Sequence, residues 1–85
     1  MIPLPVQCRM ARAALDLGVR ELARLAKVST DTVARFERGE DLKQRTIEAI
    51  QRALEEAGVE FTNGDQPGVR LTKVAAARLA KKQPD

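Results

Sequence analysis

The side chains of this 85-residue sequence limit the chemistry it can do, because it contains no histidine and one cysteine, Cys8. It therefore lacks the usual general base and any serine–histidine or cysteine–histidine pair. It also lacks the means for an internal disulfide or a cysteine-rich metal cluster. Polar side chains recur instead along one face of a predicted helix, at Thr30, Asp31, Arg35 and Arg38. We expect a binding protein with no catalytic site, cofactor or metal.

This polar face must be carried by a helix held at a fixed angle, and the segment from Gly18 to Gly39 predicts one. Two short helices, Val19–Ala26 and Thr30–Arg38, flank a three-residue turn in which Ser29 caps the second helix. Gly39 fits the left-handed position after a helix. The outer face of the second helix could enter a groove roughly 12 Å wide. The inner faces and the turn are packed by Leu22, Ala23, Ala26, Val28, Val33 and Phe36.

Two longer helices are predicted on either side of this pair. The first runs from Pro5 to Leu17 and is ended by Gly18, and its apolar stripe is Val6, Met10, Ala13, Ala14 and Leu17. Residues 40–43 form a loop. The last helix runs from Gln44 to Ala57 and is ended by Gly58, with an inner face of Ile47, Ile50, Ala53, Leu54 and Ala57.

The pattern then changes from a helical period to alternation, which predicts a β-hairpin over residues 59–71. An isolated hairpin is marginally stable, so it should pack on the last helix or pair with a second subunit. Two readings stay open for its apolar residues, dimer contact or packing within the chain. These residues are Val59, Phe61, Val69 and Leu71.

The predicted fold is therefore mainly α: a compact four-helix domain (1–58), a short hairpin as dimerisation element (59–71) and a basic tail (72–85). The tail, with Lys73, Arg78, Lys81 and Lys82, is either a frayed helix or without structure, and either a solvated extension or an arm for DNA. The net charge of +3 permits nucleic-acid binding without requiring it. With no apolar run of roughly 20 residues and no signal-peptide pattern at residues 1–5, we expect a cytoplasmic protein.

The segment from Ser29 to Gly39, STDTVARFERG, resembles the recognition-helix signature of the phage-repressor/Cro-type (XRE) helix-turn-helix family. The upstream residues 21–23 and 26–29 fit the same family, and the resemblance covers about residues 5–57. The whole chain, with its GVEF and GVRL segments, also resembles the short QseC-type regulators of integrative and conjugative elements, a class of mobile element.

The resemblance implies a role for three side chains in reading bases. Thr30, Asp31 and Arg35 lie where relatives place base-reading residues. Arginine can make a bidentate contact with guanine, and aspartate can accept from the amino group of cytosine. Two alternatives stay open: Asp31 could serve the helix dipole instead, and Arg35 could be plain surface charge.

The resemblance also implies phosphate contacts and a buried ion pair. Arg12 and Glu37 match the pair that ties the first helix to the third. Two departures from the family pattern matter. At the start of the second helix, Gly18 and Val19 replace a capping residue and a DNA-contacting glutamine, for which Arg20 is the candidate replacement. In the turn, Lys27 replaces a glycine. The residues expected at phosphates are Ser29, Thr32, Arg38, Lys43 and Arg20.

The expected function is a homodimeric regulator on a partly palindromic double-stranded DNA operator, with recognition helices about 34 Å apart. It would repress promoters, including its own, and could activate by contacting RNA polymerase. No small-molecule ligand and no membrane partner are expected. The alternative is an antitoxin-like protein-interaction module whose segment from Val69 to Lys82 folds on a partner protein.

Overall fold

The computed structural model describes residues 3–81, which form five helices and one two-stranded antiparallel sheet. The chain is mainly helical, as predicted, and the hairpin follows the first four helices. None of these helices is long and apolar enough to cross a membrane. The elements are α1 (Pro5–Leu15), α2 (Val19–Ala26), α3 (Thr30–Glu37), α4 (Gln44–Ala57), β1 (Val59–Thr62), β2 (Gly68–Leu71) and α5 (Lys73–Ala80).

Helix α1 ends earlier than predicted. Asp16 adopts the left-handed conformation (φ 57°) after Leu15, and the N–H of Leu17 donates to the carbonyl of Arg12 at 2.9 Å. This is the hydrogen bond that closes a helix at a left-handed residue. Gly18 does not end α1: it precedes α2 in an extended conformation, with φ −80°.

The predicted apolar stripe of α1 was wrong for three of its five residues. Val6, Met10 and Ala13 are exposed, whereas Ala14 and Leu17 are half-buried. The buried face is rotated around the helix axis, because the neighbouring elements accept a polar residue there. The side chain of Gln7 is buried and donates from Nε2 to the carbonyls of Thr62 (2.9 Å) and Gly68 (3.0 Å) in the hairpin. The buried residues of α1 are Gln7, Cys8, Ala11 and Leu15.

The predicted pair of short helices is confirmed. The Ser29 hydroxyl accepts from the N–H of Thr32 at 3.0 Å and so caps α3. Lys27 occupies the left-handed position in the turn (φ 60°), where a side chain costs about 1 kcal/mol. Helix α3 ends at Glu37, one residue before the predicted Arg38. The buried residues of the two helices are Leu22, Ala23, Ala26, Val33 and Phe36.

Helix α4 has the predicted bounds and completes the core. Ile50 and Leu54 are fully buried, together with Leu22 and Val33 from the short helices. Gly58 follows α4 at φ 121°, and a Cβ at this position would lie 2.4 Å from the Cβ of Ala75. This glycine therefore permits both the left-handed backbone and the close approach of α5.

The hairpin pairs Val59 with Leu71 and Phe61 with Val69, and it packs against α1 as well as α4. Val59 is 2% exposed in the single chain, so its side chain has no surface left for a second subunit. Of the two readings left open for Val59, this burial favours packing within the chain. Phe61, Val69 and Leu71 are half-buried against the same core.

The tail forms helix α5 as far as Ala80. The Thr72 hydroxyl accepts from the N–H of Ala75 at 3.2 Å and caps this helix. Ala75 is buried against Gly58, and Arg78 donates to the carbonyl of Ala57 at 2.9 Å. Lys82, the last basic residue of the predicted tail, lies outside the described residues.

Candidate nucleic-acid interface

The polar face of α3 is uncovered by the rest of the fold. Thr30, Asp31 and Arg38 are exposed, and Arg35 is partly exposed. On the opposite side of the same helix, Val33 and Phe36 are buried in the core and hold the helix in place. The helix therefore presents hydroxyl, carboxylate and guanidinium groups to solvent.

A groove of about 540 Å³ lies between the α2–α3 turn and the start of α4, beside this face. It carries three cationic side chains, Arg35, Lys43 and Arg45, and one anionic side chain, Asp41. Its hydroxyl groups come from Ser29, Thr32 and Thr46. The structure thus brings together four of the residues predicted for DNA contact, namely Ser29, Thr32, Arg35 and Lys43.

Arg45 and Thr46 were missed from the sequence. They belong to the first turn of α4, a helix that begins at Gln44. This first turn has no acidic residue, and no side chain caps it. The N-terminus of a helix carries a partial positive charge and unpaired N–H groups, so this helix end adds to the positive potential of the groove. The basic residues at positions 43 and 45, just at a helix start, were the available sequence signal.

Arg20 does not border the groove; it lies exposed on α2. The N-terminus of α2 is served by the chain's own carboxylate, because Glu21 Oε1 accepts from the N–H of Gly18 at 3.1 Å. A phosphate at this helix end would have to displace or approach that carboxylate. The structure therefore offers less support for Arg20 than for the residues of the groove.

The C-terminal end of α3 holds a carboxylate that the sequence predictions missed. Glu40 Oε1 accepts from Arg35 Nε at 3.0 Å, and Glu40 Oε2 accepts from Arg38 Nε at 3.0 Å and Nη2 at 2.9 Å. Hydrogen bonds from Arg35 and then Arg38 lower the pKa of Glu40. Two arginines predicted to contact DNA are thus bridged by one exposed acid.

Comparison with models of known protein families gives no match for this sequence, and comparison with characterised proteins gives none either.

The ion pair between Arg12 and Glu37 joins α1 to α3 behind the polar face. Arg12 donates from Nε to Glu37 Oε2 at 2.7 Å and from Nη2 to Oε1 at 2.8 Å, a bidentate arrangement. Cys8 Sγ also donates to Glu37 Oε2, at 3.1 Å. Burial opposes ionisation of Glu37, but the hydrogen bonds from Arg12 and Cys8 outweigh it and lower the pKa of this carboxyl. Burial, and then the bond to Glu37, raises the pKa of the Cys8 thiol.

Proposed function

We propose that this chain is a sequence-specific, double-stranded DNA-binding transcription regulator in which α2 and α3 act as a helix-turn-helix within a four-helix, repressor-like domain. One observation carries the proposal: the exposed polar face of α3 lies directly beside a cationic groove at the start of α4. An α-helix fits the major groove, while flanking cations and helix N-termini suit the phosphates on its edge.

The residues proposed to contact DNA fall into two groups, those that contact bases and those that contact phosphates. Thr30, Asp31 and Arg35 project from the exposed side of α3 and are the candidates for base contact. The guanidinium of Arg35 can donate two hydrogen bonds to a guanine edge, and the carboxylate of Asp31 can accept one from the amino group of cytosine. Phosphate contacts position the duplex without reading its sequence. The candidates for phosphate contact are Ser29, Thr32, Lys43, Arg45 and Arg38.

The proposed regulator acts in the cytoplasm as a homodimer on two half-sites about 34 Å apart. Both strands of the hairpin have an unpaired edge within the described part of the chain, and such edges favour pairing with another chain. Phe61, Val69 and Leu71 keep part of their apolar surface exposed. Binding at promoters, its own included, would block RNA polymerase.

The decisive experiment selects bound sequences from a random duplex pool and titrates the selected duplex against wild type and two variants. Arg35→Ala should weaken specific binding by about 1–3 kcal/mol and relax the preference at one base pair, because it removes a bidentate contact. Arg52→Ala is the matched control: it removes the same charge from the exposed part of α4, outside the cationic groove. The titration should give two chains per selected duplex.

Three results would contradict this proposal. A pool that is not enriched for any sequence at low salt would contradict sequence-specific binding. Equal losses of affinity for Arg35→Ala and Arg52→Ala would contradict the proposal that α3 contacts bases through Arg35. A stoichiometry of one chain per selected duplex would contradict the proposed dimer.

A second candidate is a protein-interaction module built around α5. Val74 lies on this helix and is 76% exposed, more than any other large apolar side chain in the described part of the chain. Residues 69–81 already form strand and helix in the single chain, so a partner would bind a folded surface. Purification of the chain with a stoichiometric protein partner and without DNA would favour this function.

A further inference from the structure

Glu40 is held at the end of α3 by the backbone as well as by its side chain. Gly39 adopts φ 89°, and its N–H donates to the carbonyl of Phe36 at 3.0 Å. The N–H of Glu40 then donates to the carbonyl of Arg35 at 3.1 Å. These two bonds form the closing motif of a helix C-terminus. The backbone of Glu40 is therefore fixed relative to α3, and hydrogen bonds to Arg35 and Arg38 place its carboxylate.

The Glu40 carboxylate accepts different hydrogen bonds from its two arginines. Arg35 donates to it from Nε alone, and neither Nη atom of Arg35 makes a hydrogen bond within residues 3–81. Arg38 donates to it from both Nε and Nη2. Arg35 therefore keeps the two terminal nitrogens needed for a bidentate contact with guanine. Arg38 has one edge of its fork already occupied.

We propose that Glu40 is a specificity-determining residue of the DNA interface, which orients Arg35 for a guanine edge and keeps Arg38 from gripping phosphates indiscriminately. This inference rests on the proposed function and names the residue that sets its selectivity. Glu40 itself makes no base contact; it acts through the two arginines.

Two physical effects support this role. Fixing Arg35 through Nε reduces the side-chain entropy lost when its Nη atoms bind a base. A carboxylate beside Arg38 repels an approaching phosphate, and phosphate contacts provide most of non-specific affinity. The same residue thus favours the correct sequence and penalises all others, which is how specificity arises as a difference between two affinities.

The test compares Glu40→Gln with Glu56→Gln on the selected duplex and on a scrambled duplex of equal length, over a series of salt concentrations. Both variants raise the net charge by the same amount at exposed positions. Glu56 lies on α4 outside the cationic groove, and the only arginine-bound carboxylate of the two is that of Glu40. Glu40→Gln should raise affinity for the scrambled duplex about fivefold more than Glu56→Gln does. The ratio of selected to scrambled affinity should fall about fivefold or more.

The outcomes separate this inference from the function beneath it. Equal effects of the two variants on both duplexes would overturn the role of Glu40, while a wild-type preference for the selected duplex would leave the proposed function standing. A wild-type protein that binds neither duplex at low salt would overturn both.

Discussion

Glu37 and Glu40 lie three residues apart at the end of α3, and both accept hydrogen bonds from arginine, yet their surroundings differ. The Glu37 side chain is 9% exposed and receives both arms of Arg12 and the thiol of Cys8. The Glu40 side chain is 43% exposed and lies at the outer surface between Arg35 and Arg38. The chemistry of the two pairs is the same, and burial decides what each pair does.

The difference follows from solvation. A charge in a sheltered site is costly when its partner is removed, because water cannot replace the lost bonds. An exposed pair contributes little to stability, because water solvates both groups almost as well. The Glu37 pair therefore holds α1 against α3, whereas the Glu40 pair contributes little to stability and can serve the proposed binding role.

The largest expected effect is on the sheltered pair. Arg12→Met should lower the free energy of unfolding by about 3 kcal/mol, because it leaves the Glu37 carboxylate without its main partner. Arg70→Met is the matched control, since Arg70 pairs with Glu60 at the exposed surface; its cost should stay below about 1 kcal/mol. Urea unfolding followed by circular dichroism measures both. Equal losses would show that burial does not distinguish the two kinds of pair.

The contribution of the Arg12–Glu37 pair to stability should also depend on pH. The folded-state pKa of Glu37 is lowered, so its contribution to stability is complete above the ordinary carboxyl value of 4.5 and is lost as pH falls through the lower folded value. Unfolding curves of wild type and Glu37→Gln, measured from pH 7 to pH 3, should therefore converge at the acid end. A stability difference that stays constant across this range would contradict the assigned ionisation.

The smallest effect is expected at the exposed carboxylate. Glu40→Gln should leave the free energy of unfolding nearly unchanged, because both of its arginine partners remain solvated. The same urea titration measures this change. A loss of stability comparable to that of Glu37→Gln would contradict the conclusion that only the sheltered carboxylate contributes to stability.

Much of the framework could be predicted from local patterns alone. The Ser29 cap, the left-handed Gly39, the bounds of α2 and α4 and the alternating hairpin depend on residues close together in the chain. The pairing of Arg12 with Glu37 came from a family resemblance rather than from local pattern. Local patterns were insufficient where contacts are distant. For Val59 they left dimer contact and packing within the chain open, whereas the structure buries this side chain in a hairpin that packs on α1 and α4.

The amino-acid order by itself determined where α2, α3, α4 and the hairpin form, because caps, breakers and apolar periods act within a few residues. Only the tertiary structure decided which face of α1 is buried, since Gln7 satisfies its amide on carbonyls of the distant hairpin. It also decided the different solvent exposure of Glu37 and Glu40. One carboxylate turns toward Arg12 and Cys8 on α1, and the other stays in water, a distinction of solvation that local sequence does not encode.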